Sequence, residues 1–461
     1  MKRFVALFLI LTLAALTLAG CASTDGMEFL QTESGYMLIR YTGDEDEITV
    51  PDTYNGKSVI AIGGSTFENC TTLTSITIPE SIQSIGSAAF KGCKNLTEVT
   101  LSEGLVRIDA QAFMDCSALT SIAIPDTVTA IAASAFEKCT ALADITLGKG
   151  LEVLTPSAFS DCSAIASISI NEENRLFRAE NNTLFSGTTL VLGCKNTNLA
   201  SCNVTTIGDY AFSGCVDIPT NGGTLTIPNS VKHIGNHAFA RCTEVQKVVL
   251  PQGLKTLGGY AFDVCTKLSD ITLPNGLTDL GEFAFRGCTA LTSFVIPNSV
   301  IRLSNSVFYE CANLRSVKLP DNLSVLEHSF FYGCVSLPSV DLPASLTRIN
   351  EWAFHGCTAL GAIELPKNVT RIDKSAFFGC TSLPSINLEN VTYIGTTAFA
   401  TCTALQGVTL SENLTVIGQS AFDGCTSLAS LQYGGTAEQW FAIQKGFDWN
   451  RNVPATMPFA E

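Results

Sequence analysis

The sequence is poor in charged residues and in the side chains that most often carry catalytic chemistry. Only 15% of its 461 residues are charged, and it contains 4 His, 3 Trp and 5 Met. Basic residues are scarce, since 27 Lys and Arg face 42 Asp and Glu, and the net charge is −15. An acidic surface of this kind repels phosphate backbones and anionic lipid headgroups. Nucleic acid is therefore not expected as a partner, and no basic patch would hold the protein on a membrane.

Features that divide a chain into domains, or that mark an active site, are also missing. About 150 residues per domain would suggest about three domains, yet no Pro/Ser-rich linker or charged block separates them. The sequence has no GxSxG, HExxH, Walker or dinucleotide-binding motif in a suitable context, and no CxxC pair that would favour zinc. We therefore expect one elongated unit with no catalytic residues, no metal and no cofactor.

The N-terminus has the pattern of an export signal. Lys2 and Arg3 precede an apolar run that is too short for a dependable membrane span. The tetrapeptide LAGC at 18–21 resembles the lipobox of bacterial lipoproteins, which implies that residues 1–20 are removed and that Cys21 carries the lipid. The alternative is an ordinary signal peptide that is cut near Ala22. Because no basic patch assists, the membrane would be contacted through the N-terminal lipid only.

A repeated motif dominates the rest of the chain. Phe-x-x-Cys occurs fifteen times, from Phe67/Cys70 to Phe422/Cys425, mostly at intervals of 23 residues. The largest exception is an interval of 53 residues between Cys162 and Cys215. A 23-residue unit cannot bury its own apolar face, so it must stack on copies of itself. The period therefore predicts a solenoid in place of separate globular domains.

One unit, LTSIAIPDTVTAIAASAFEKCTA from Leu119 to Ala141, illustrates the local pattern. Its first apolar residues alternate as a short half-buried strand, which Pro125 ends because proline has no N–H for the ladder. Val128 and Ile131 form a second inward pair, and SAFEKC predicts a tight helical or 3₁₀ turn. The Leu-x-x-Ile-x-Ile spacing matches the leucine-rich repeat pattern. At about 4.8 Å per stacked strand, fifteen or sixteen coils make a rod roughly 75 Å long.

The IP after the strand, the IGxxAF segment and the closing Cys resemble the BspA-type leucine-rich repeats of bacterial surface proteins, over about residues 36 to 433. The expected fold is an α/β leucine-rich-repeat solenoid, shaped as a horseshoe or curved rod, with one parallel strand per coil and about 15–16 coils. The resemblance implies adhesion to proteins or glycans of a host or neighbouring cell.

The departures from the repeat predict the domain boundaries. NNTLFSGTTLVLG predicts a β-hairpin that interrupts one coil, and Thr436-Ala-Glu-Gln predicts a helix N-terminus with a capping box. The expected segments are a signal peptide at 1–20, the lipidated Cys and a short linker at 21–35, an N-terminal cap at 36–62, repeats at 63–163, an interrupted repeat at 164–206, repeats at 207–433 and a C-terminal cap at 434–461.

Most of the 18 cysteines belong to the repeat. Neighbouring cysteines of successive repeats lie one coil apart, but their side chains point in parallel into the core, so we expect buried free thiols in place of disulfides. Cys194 and Cys202 stand outside the series, in the interruption. Their spacing across a predicted loop would allow a single disulfide.

Equivalent positions of a solenoid form rows, and two rows depart from the rest in composition. The outward site of the first strand is mostly small or hydroxylated, but it becomes charged at Lys318, Asp341 and Glu364. This row is a candidate ligand-binding surface. The alternative is that these are ordinary solvated strand positions chosen for β propensity.

The second departure is aromatic. Tyr309, Tyr332, His355 and Phe378 follow the core Phe in four consecutive repeats. Ahead of the core Phe, a discontinuous row has the following members: Tyr210, His237, Tyr260, Phe283 and Trp352. Exposed aromatic side chains in a line could stack on sugar rings or anchor a protein loop. Alternatively, they are half-buried between coils and only support packing.

Together these features predict an exported, lipid-anchored, monomeric cell-surface protein without enzymatic activity. Its ligand would be a protein or glycan of a host or neighbouring cell, because a row suits a large partner better than a small molecule. One alternative is a structural or scaffold lipoprotein of the cell envelope with no host ligand. A second is a hydrolase that acts on a polymer, with Asp341 and Glu364 as candidate carboxylates.

Overall fold

Each repeat forms a coil with three sides in the computed structural model, which describes residues 26–454. In one coil the strand Ser121–Ala123 is the first side, the strand Ala130–Ile131 the second, and the turn around Phe136 the third. The expected single strand per coil is therefore wrong, because the second inward pair also joins a parallel ladder. Cys21 and the predicted signal peptide lie outside the described residues.

The first strands stack in parallel in short sheets of two or three, which we call the first ladder. Ile122 pairs with Ile145 and Ile145 with Ile168, so the inward side chains of successive coils lie in register. The strands of the first ladder are Glu47–Thr49, Ser75–Ile78, Glu98–Leu101, Ser121–Ala123, Asp144–Leu147, Ser167–Ile170, Thr224–Thr226, Lys247–Val249, Asp270–Ile271, Ser293–Val295, Ser316–Lys318, Ser385–Leu388, Gly407–Leu410 and Ser430–Tyr433.

The second strands are mostly two residues long and form a more continuous second ladder. Its strands are Lys57–Ile62, Ser84–Ile85, Arg107–Ile108, Ala130–Ile131, Val153–Leu154, Thr189–Leu192, Thr206–Ile207, His233–Ile234, Thr256–Leu257, Asp279–Leu280, Arg302–Leu303, Val325–Leu326, Arg348–Ile349, Arg371–Ile372, Tyr393–Ile394, Val416–Ile417 and Gln444–Lys445.

The third side, which we call the turn side, contains linked turns and no helix among the described residues of the repeats. The Phe136 N–H donates to Ala158 O of the next coil at 2.8 Å, and the Lys138 N–H donates to Ser160 O at 3.0 Å. Ser134 and Lys138 have φ angles of 57° and 61°, and such left-handed residues interrupt a helix. The predicted helical or 3₁₀ turn is therefore correct only in part, since 3₁₀-type bonds such as that from the Cys139 N–H to Phe136 O at 3.1 Å alternate with bonds to the neighbouring coil.

Helix is nearly absent from residues 26–454. These residues contain the 3₁₀ helix Leu199–Ser201 and the α-helix Ala437–Ala442, so the expected α/β class is corrected to a solenoid of stacked parallel strands. No helix in this part of the chain is long and apolar enough to cross a membrane.

The core contains a stack of phenylalanine rings beside a row of thiols. Phe67 to Phe159 stack in series with ring centroids 4.9–5.2 Å apart, and a second series runs from Phe212 to Phe422. In most coils the Cys S–H donates to the Phe carbonyl of the preceding coil, as Cys116 does to Phe90 at 3.1 Å. All cysteines among residues 26–454 are free thiols. The ladder cysteines thus act as buried hydrogen-bond donors.

The interruption contains the predicted hairpin. Thr183–Ser186 pairs antiparallel with Thr189–Leu192 across a turn at Gly187, and Arg178–Glu180 adds a third strand. Thr189–Leu192 then continues the second ladder by pairing in parallel with Thr206–Ile207. Next to it, a Cβ on Gly193 would lie 2.1 Å from the Phe212 ring, so only glycine lets the hairpin pack on the next coil.

Both ends of the described solenoid are covered. Met27–Gln31 pairs antiparallel with Tyr36–Tyr41, and Thr53–Tyr54 pairs antiparallel with Lys57–Ile62. The cap thus begins within residues 21–35, where a linker was expected.

At the C-terminal end, Thr436 and Gln439 form the predicted capping box of the helix Ala437–Ala442. Trp440 is fully buried, and Trp449 packs edge-on against the last core ring, Phe422. These residues shield the apolar face of the last coil from water.

One junction between coils is open in the second ladder. No backbone hydrogen bond of the described residues joins Arg302–Leu303 to Val325–Leu326, whereas Ser293–Val295 and Ser316–Lys318 of the same two coils stay paired in the first ladder. The turn side remains joined, because the Phe308 N–H donates to Phe330 O at 3.1 Å. Phe330 stands where most other repeats have Ala, and it meets Phe308 edge-on. The larger ring separates the two coils, and we call this junction the seam.

Candidate functional site

The aromatic side chains of the turn side occupy two columns. Column 1 is the position two residues before the core Phe, and column 2 is the position directly after it. Tyr210, His237, Tyr260 and Phe283 stack in column 1, with centroids 4.6, 4.5 and 4.8 Å apart. In column 2 the stack is formed by Tyr309, Tyr332, His355 and Phe378, with centroids 4.5, 4.6 and 4.7 Å apart.

The two stacks are parts of one line. Phe283 contacts Tyr309 at 5.7 Å with their rings tilted by 54°. Eight consecutive repeats therefore contribute one ring each, and the line changes from column 1 to column 2 between these residues. At about 4.8 Å per coil the line is about 34 Å long. In the sequence the two columns read as separate rows, so a continuous line of eight rings was not predicted.

Most rings of the line cannot offer a flat face to a ligand. Neighbouring rings lie within 15° of parallel inside each stack, so each face covers the next, and all eight side chains are half-buried. This geometry supports the alternative that the row packs between coils. Stacking of a ligand on an aromatic face requires a place where the line is broken.

Such a place lies where the line changes column. Column 1 carries Ser306 and Ser329 in the two repeats after Phe283, and the next ring in that column is Trp352. A groove of about 610 Å³ opens there, and we call it the aromatic groove. Its lining consists of Phe283, Asn305, Ser306, Tyr309, His328, Ser329, Tyr332, Trp352 and His355.

Core residues explain why the groove lies at this point. Core ring centroids are 5.9, 6.1 and 5.9 Å apart from Phe262 to Phe331, against 4.9–5.2 Å from Phe67 to Phe159. Phe294 packs against two of these rings, and Phe330 adds volume at the seam. Larger core side chains therefore widen the spacing of the core rings beneath the groove, while the backbone of the turn side stays hydrogen-bonded from coil to coil.

The backbone of column 1 is left-handed whether or not its residue is aromatic. Gln111 and Ser134 have φ angles of 60° and 57°, while Tyr260, Phe283 and Trp352 have 56°, 52° and 59°. This conformation is unfavourable for bulky residues. Contacts between rings offset the cost, so the aromatic residues are not required by the backbone.

Burial favours the neutral form of two side chains of the groove, His355 and Tyr309, near pH 7. Burial lowers the pKa of His355 below its ordinary value of 6.5. Burial, followed by the nearby Tyr332 hydroxyl, raises the pKa of Tyr309 above 10.0. The lining contains no Asp, Glu, Lys or Arg. The groove is therefore an uncharged surface on an acidic protein.

The candidate site residues divide between different surfaces. Tyr309, Tyr332, Trp352 and His355 line the aromatic groove, whereas Phe378 ends the ring line beyond it. The residues that the sequence did not single out are Asn305, Ser306, His328 and Ser329. A comparison of both columns in the sequence could have identified Ser306 and Ser329, because column 1 has these small residues in the repeats where column 2 has Tyr309 and Tyr332.

The charged candidates are not part of this groove. Lys318, Asp341 and Glu364 are exposed on the side of the first ladder. Lys318 borders a separate cavity of about 530 Å³ next to Phe294. Asp341 and Glu364 follow a single isolated bridge between Ser339 and Ala362, where the regular strands are absent.

Cys194 and Cys202 do not form the disulfide that their spacing allowed. Cys194 Sγ lies 3.2 Å from Asn182 O, and Cys202 Sγ lies 3.5 Å from Asn198 O. Each thiol is satisfied by a different carbonyl, and both are free. No group of three or more potential metal ligands is found among residues 26–454.

Comparison with known proteins identifies the repeat. A BspA-type leucine-rich repeat region in six copies matches residues 60–191, 205–338 and 325–441, which is most of the chain. The chain belongs to the BspA-type leucine-rich repeat family. Leucine-rich repeat proteins are generally non-enzymatic scaffolds that bind protein ligands. A search of curated protein sequences found no significant match.

Solved structures of bacterial leucine-rich repeat proteins are similar to the chain over most of its length. A leucine-rich repeat protein from Bacteroides ovatus is 26% identical, with 95% of this chain and 100% of that chain covered and a TM-score of 0.50. One from Eubacterium ventriosum is 24% identical, with 77% and 93% covered and a TM-score of 0.57. A leucine-rich cell surface protein from Faecalibacterium prausnitzii is 21% identical, with 93% and 98% covered and a TM-score of 0.39.

Proposed function

We propose that this chain is a cell-surface binding protein that holds a macromolecular ligand in the aromatic groove. The observation that carries the proposal is the change of column, because it uncovers two aromatic side chains, Phe283 and Trp352, at opposite ends of one groove. Buried aromatic anchors in a pocket supply most of the energy of many binding interfaces. The cavity of about 610 Å³ has a size typical of ligand sites.

The protein reaches the surface by export and is held there through lipid on Cys21. The LAGC tetrapeptide at 18–21 and the acidic composition support this part of the proposal, since no basic patch offers an electrostatic anchor. Metabolic labelling with a fatty acid tests it. The Cys21→Ser variant should lose the label, and persistent labelling would refute lipidation at this residue.

The ligand is a protein or glycan of a host or neighbouring cell. Family membership supports this choice, since repeat proteins present long rigid surfaces to large partners. The solenoid holds the groove at a fixed place among stacked coils, so little conformational entropy is lost when the ligand binds.

The test is a binding screen of residues 22–461 against immobilised matrix proteins and glycans. The double variant Phe283→Ala/Trp352→Ala should weaken binding at least about 100-fold, because two anchors of about 1.4 kcal/mol each are removed. The matched control is Tyr210→Ala/Phe378→Ala, which removes the two end rings of the same line and leaves the groove intact. Equal binding by wild-type protein and the folded groove variant would contradict the proposal.

A further inference from the structure

The groove differs in charge from a neighbouring cavity on the same side of the solenoid. That cavity, of about 240 Å³, lies beside Tyr210, and its charged lining residues are Glu137, Asp161, Arg241, Asp263 and Arg286. The lining of the aromatic groove contains no Asp, Glu, Lys or Arg. Arg286 lies 5.8 Å from the Phe283 ring centre, but Asp263 holds it with two hydrogen bonds. Lys374 lies at the Trp352 end, but the lining itself offers no counter-charge, so a charged group placed between the two aromatic ends would lose its hydration without compensation.

Both ends of the groove offer part of an aromatic face. One face of Phe283 is covered by Tyr260, whereas Tyr309 meets its other side at a tilt of 54°. At the far end, His328 touches Trp352 edge-on at 4.8 Å, and Lys374 Nζ lies 5.6 Å from the ring centre. Because these neighbours are tilted, part of the Phe283 and Trp352 ring surfaces stays uncovered. In the parallel stacks elsewhere in the line, each ring covers the face of the next.

Neutral polar groups lie between the two rings. The lining includes the Asn305 amide, two serine hydroxyls and two imidazoles. His355 Nδ1 is buried and has no hydrogen-bond partner in the structure. Buried polar atoms usually have a partner, so this nitrogen is available for a group that a ligand supplies. The groove thus combines apolar ring faces with short neutral donors and acceptors. A matching ligand would have apolar faces and neutral polar groups on the same ring.

We infer that the aromatic groove takes a neutral saccharide, an inference that rests on the proposed function of the groove. A pyranose ring has apolar C–H faces that pack on aromatic rings and a rim of hydroxyls that bond to neutral polar groups. Phe283 and Trp352 are three repeats apart, about 15 Å at about 5 Å per coil. The gap therefore suits a segment of about two sugar rings, with one packed against each aromatic end.

The alternative occupant is an aromatic or apolar peptide segment. Each residue of a peptide brings a backbone N–H and C=O that need partners when buried. The polar groups of the lining are a few separate side chains, one of which, the Ser306 hydroxyl, already donates to His328 O at 3.3 Å, so they do not match the evenly spaced groups of a peptide backbone. A saccharide needs no such row of partners, because its hydroxyls lie around each ring, and the observations therefore favour the saccharide.

The experiment is a titration of residues 22–461 with three sets of probes. These are neutral oligosaccharides of two to about six rings, sialylated or sulfated counterparts, and synthetic aromatic-rich peptides. Neutral probes should bind, and acidic counterparts should bind at least about 10-fold more weakly. The binding signal should include a change in Trp fluorescence that disappears in Trp352→Phe, since Trp440 is fully buried.

Paired variants test the two ends of the groove. Phe283→Ala and Trp352→Ala should each weaken saccharide binding at least about 10-fold, while Phe283→Tyr should retain it because a ring remains. Tyr210→Ala, at the far end of the ring line, should bind like wild-type protein. Circular dichroism spectra of all variants establish that they are folded.

The possible failures are distinguishable. If peptides or a protein ligand bind with the same sensitivity to Phe283→Ala and Trp352→Ala, the groove remains the binding site and the saccharide inference is overturned. If saccharides bind equally well to these variants, the inference is overturned because they bind elsewhere. If no probe of any kind depends on either residue, the proposed function of the groove fails as well.

Discussion

Residues 63–163 and residues 283–355 are built from the same repeat, yet the aromatic groove lies in the second segment. Core rings lie 4.9–5.2 Å apart in the first segment and up to 6.1 Å apart in the second. The first segment carries no aromatic residue in either column of the turn side, whereas the second carries Phe283, Tyr309, Tyr332, Trp352 and His355. The groove therefore coincides with a wider spacing of the core rings and with the change of column in the aromatic line.

Phe330 is the clearest case of this connection. Most other repeats place a fully buried Ala at this position, such as Ala112. A phenyl ring takes its place at the seam, where the second ladder loses its hydrogen bonds while the first ladder stays paired. Ser306 and Ser329, which line the groove, belong to the two coils that the seam separates.

The largest expected effect concerns what the two segments share, the row of buried thiols. Burial raises the pKa of Cys93 in the first segment, and of Cys311 in the second, from 9.0 to about 12. Because these values are raised in the folded state, stability is complete below about pH 8 and falls as pH rises from 9 towards 12. At about pH 10 each such thiol costs about 1.4 kcal/mol.

Twelve ladder thiols have a raised pKa, so their costs at about pH 10 add and become comparable with the stability of ordinary domains, about 5–15 kcal/mol. We expect the solenoid to unfold between about pH 9 and 11. Circular dichroism and thiolate absorbance, followed together, should change at the same pH. Retention of the folded spectrum above about pH 11 would contradict a shared core of protonated thiols.

A smaller effect should separate the two segments. Phe113→Ala removes a fully buried ring from the regular stack and should cost about 3–5 kcal/mol. Phe330→Ala should cost less than about 2 kcal/mol, because the coils can close to the spacing that Ala allows elsewhere and regain ladder hydrogen bonds of about 1 kcal/mol each. Denaturant unfolding measures both. Equal losses would mean that Phe330 does not hold the seam open.

The same pair of variants gives a local measurement. Amide hydrogen exchange at Ser324 and Val325 should be fast in wild-type protein, since no backbone acceptor in the preceding coil protects them. Exchange there should slow in Phe330→Ala and stay unchanged in Phe113→Ala. Slow exchange in wild-type protein would show that the seam is closed in solution.

Most of the fold could be predicted from the sequence, because the period and the alternation of apolar residues are strong signals. The fifteen motifs located fifteen coils, and other sequence signals located the hairpin at NNTLFSGTTLVLG and the capping box at Thr436. The expected 15–16 coils were slightly too few, since the second ladder has seventeen strands among the described residues. The second ladder was missed because a two-residue strand has too few residues to show alternation. The turn was predicted only in part, because every second bond runs to the next coil, a partner that local sequence does not reveal.

The site was less predictable than the fold. Aromatic composition identified Tyr309, Tyr332, Trp352 and His355, but their exposure depends on the spacing of whole coils. That spacing follows from Phe294 and Phe330, which read as ordinary core residues. The charged row at Lys318 was equally conspicuous in the sequence, and the structure places it on a different side. Unusual composition therefore identified candidate site residues, but the packing of the coils determines which of them lie in one groove.

An ion pair in each segment gives a further comparison. Asp263 is almost fully buried and holds Arg286 through hydrogen bonds of 2.6 and 2.9 Å, whereas Arg107 pairs with Asp109 at the surface. Arg286→Gln leaves a buried carboxylate without its partner and should cost about 2 kcal/mol. Arg107→Gln should cost less than about 1 kcal/mol. Thermal unfolding measures both, and a larger loss for Arg107→Gln would reverse the expected order.

The smallest expected effect depends on His355, since residues 63–163 contain no histidine. Burial lowers the pKa of His355 below 6.5, so the unfolded chain takes up a proton before the folded chain does. Its contribution is therefore complete above about pH 6.5 and is lost, by less than about 1 kcal/mol, as pH falls towards 5. His355→Gln should reduce the difference between denaturation midpoints measured at about pH 7 and 5.

Protonation of His355 also brings charge into a neutral groove, so ligand affinity should fall over the same pH range in wild-type protein and less in His355→Gln. An identical pH dependence in both proteins would show that His355 titrates in the folded state as it does in water.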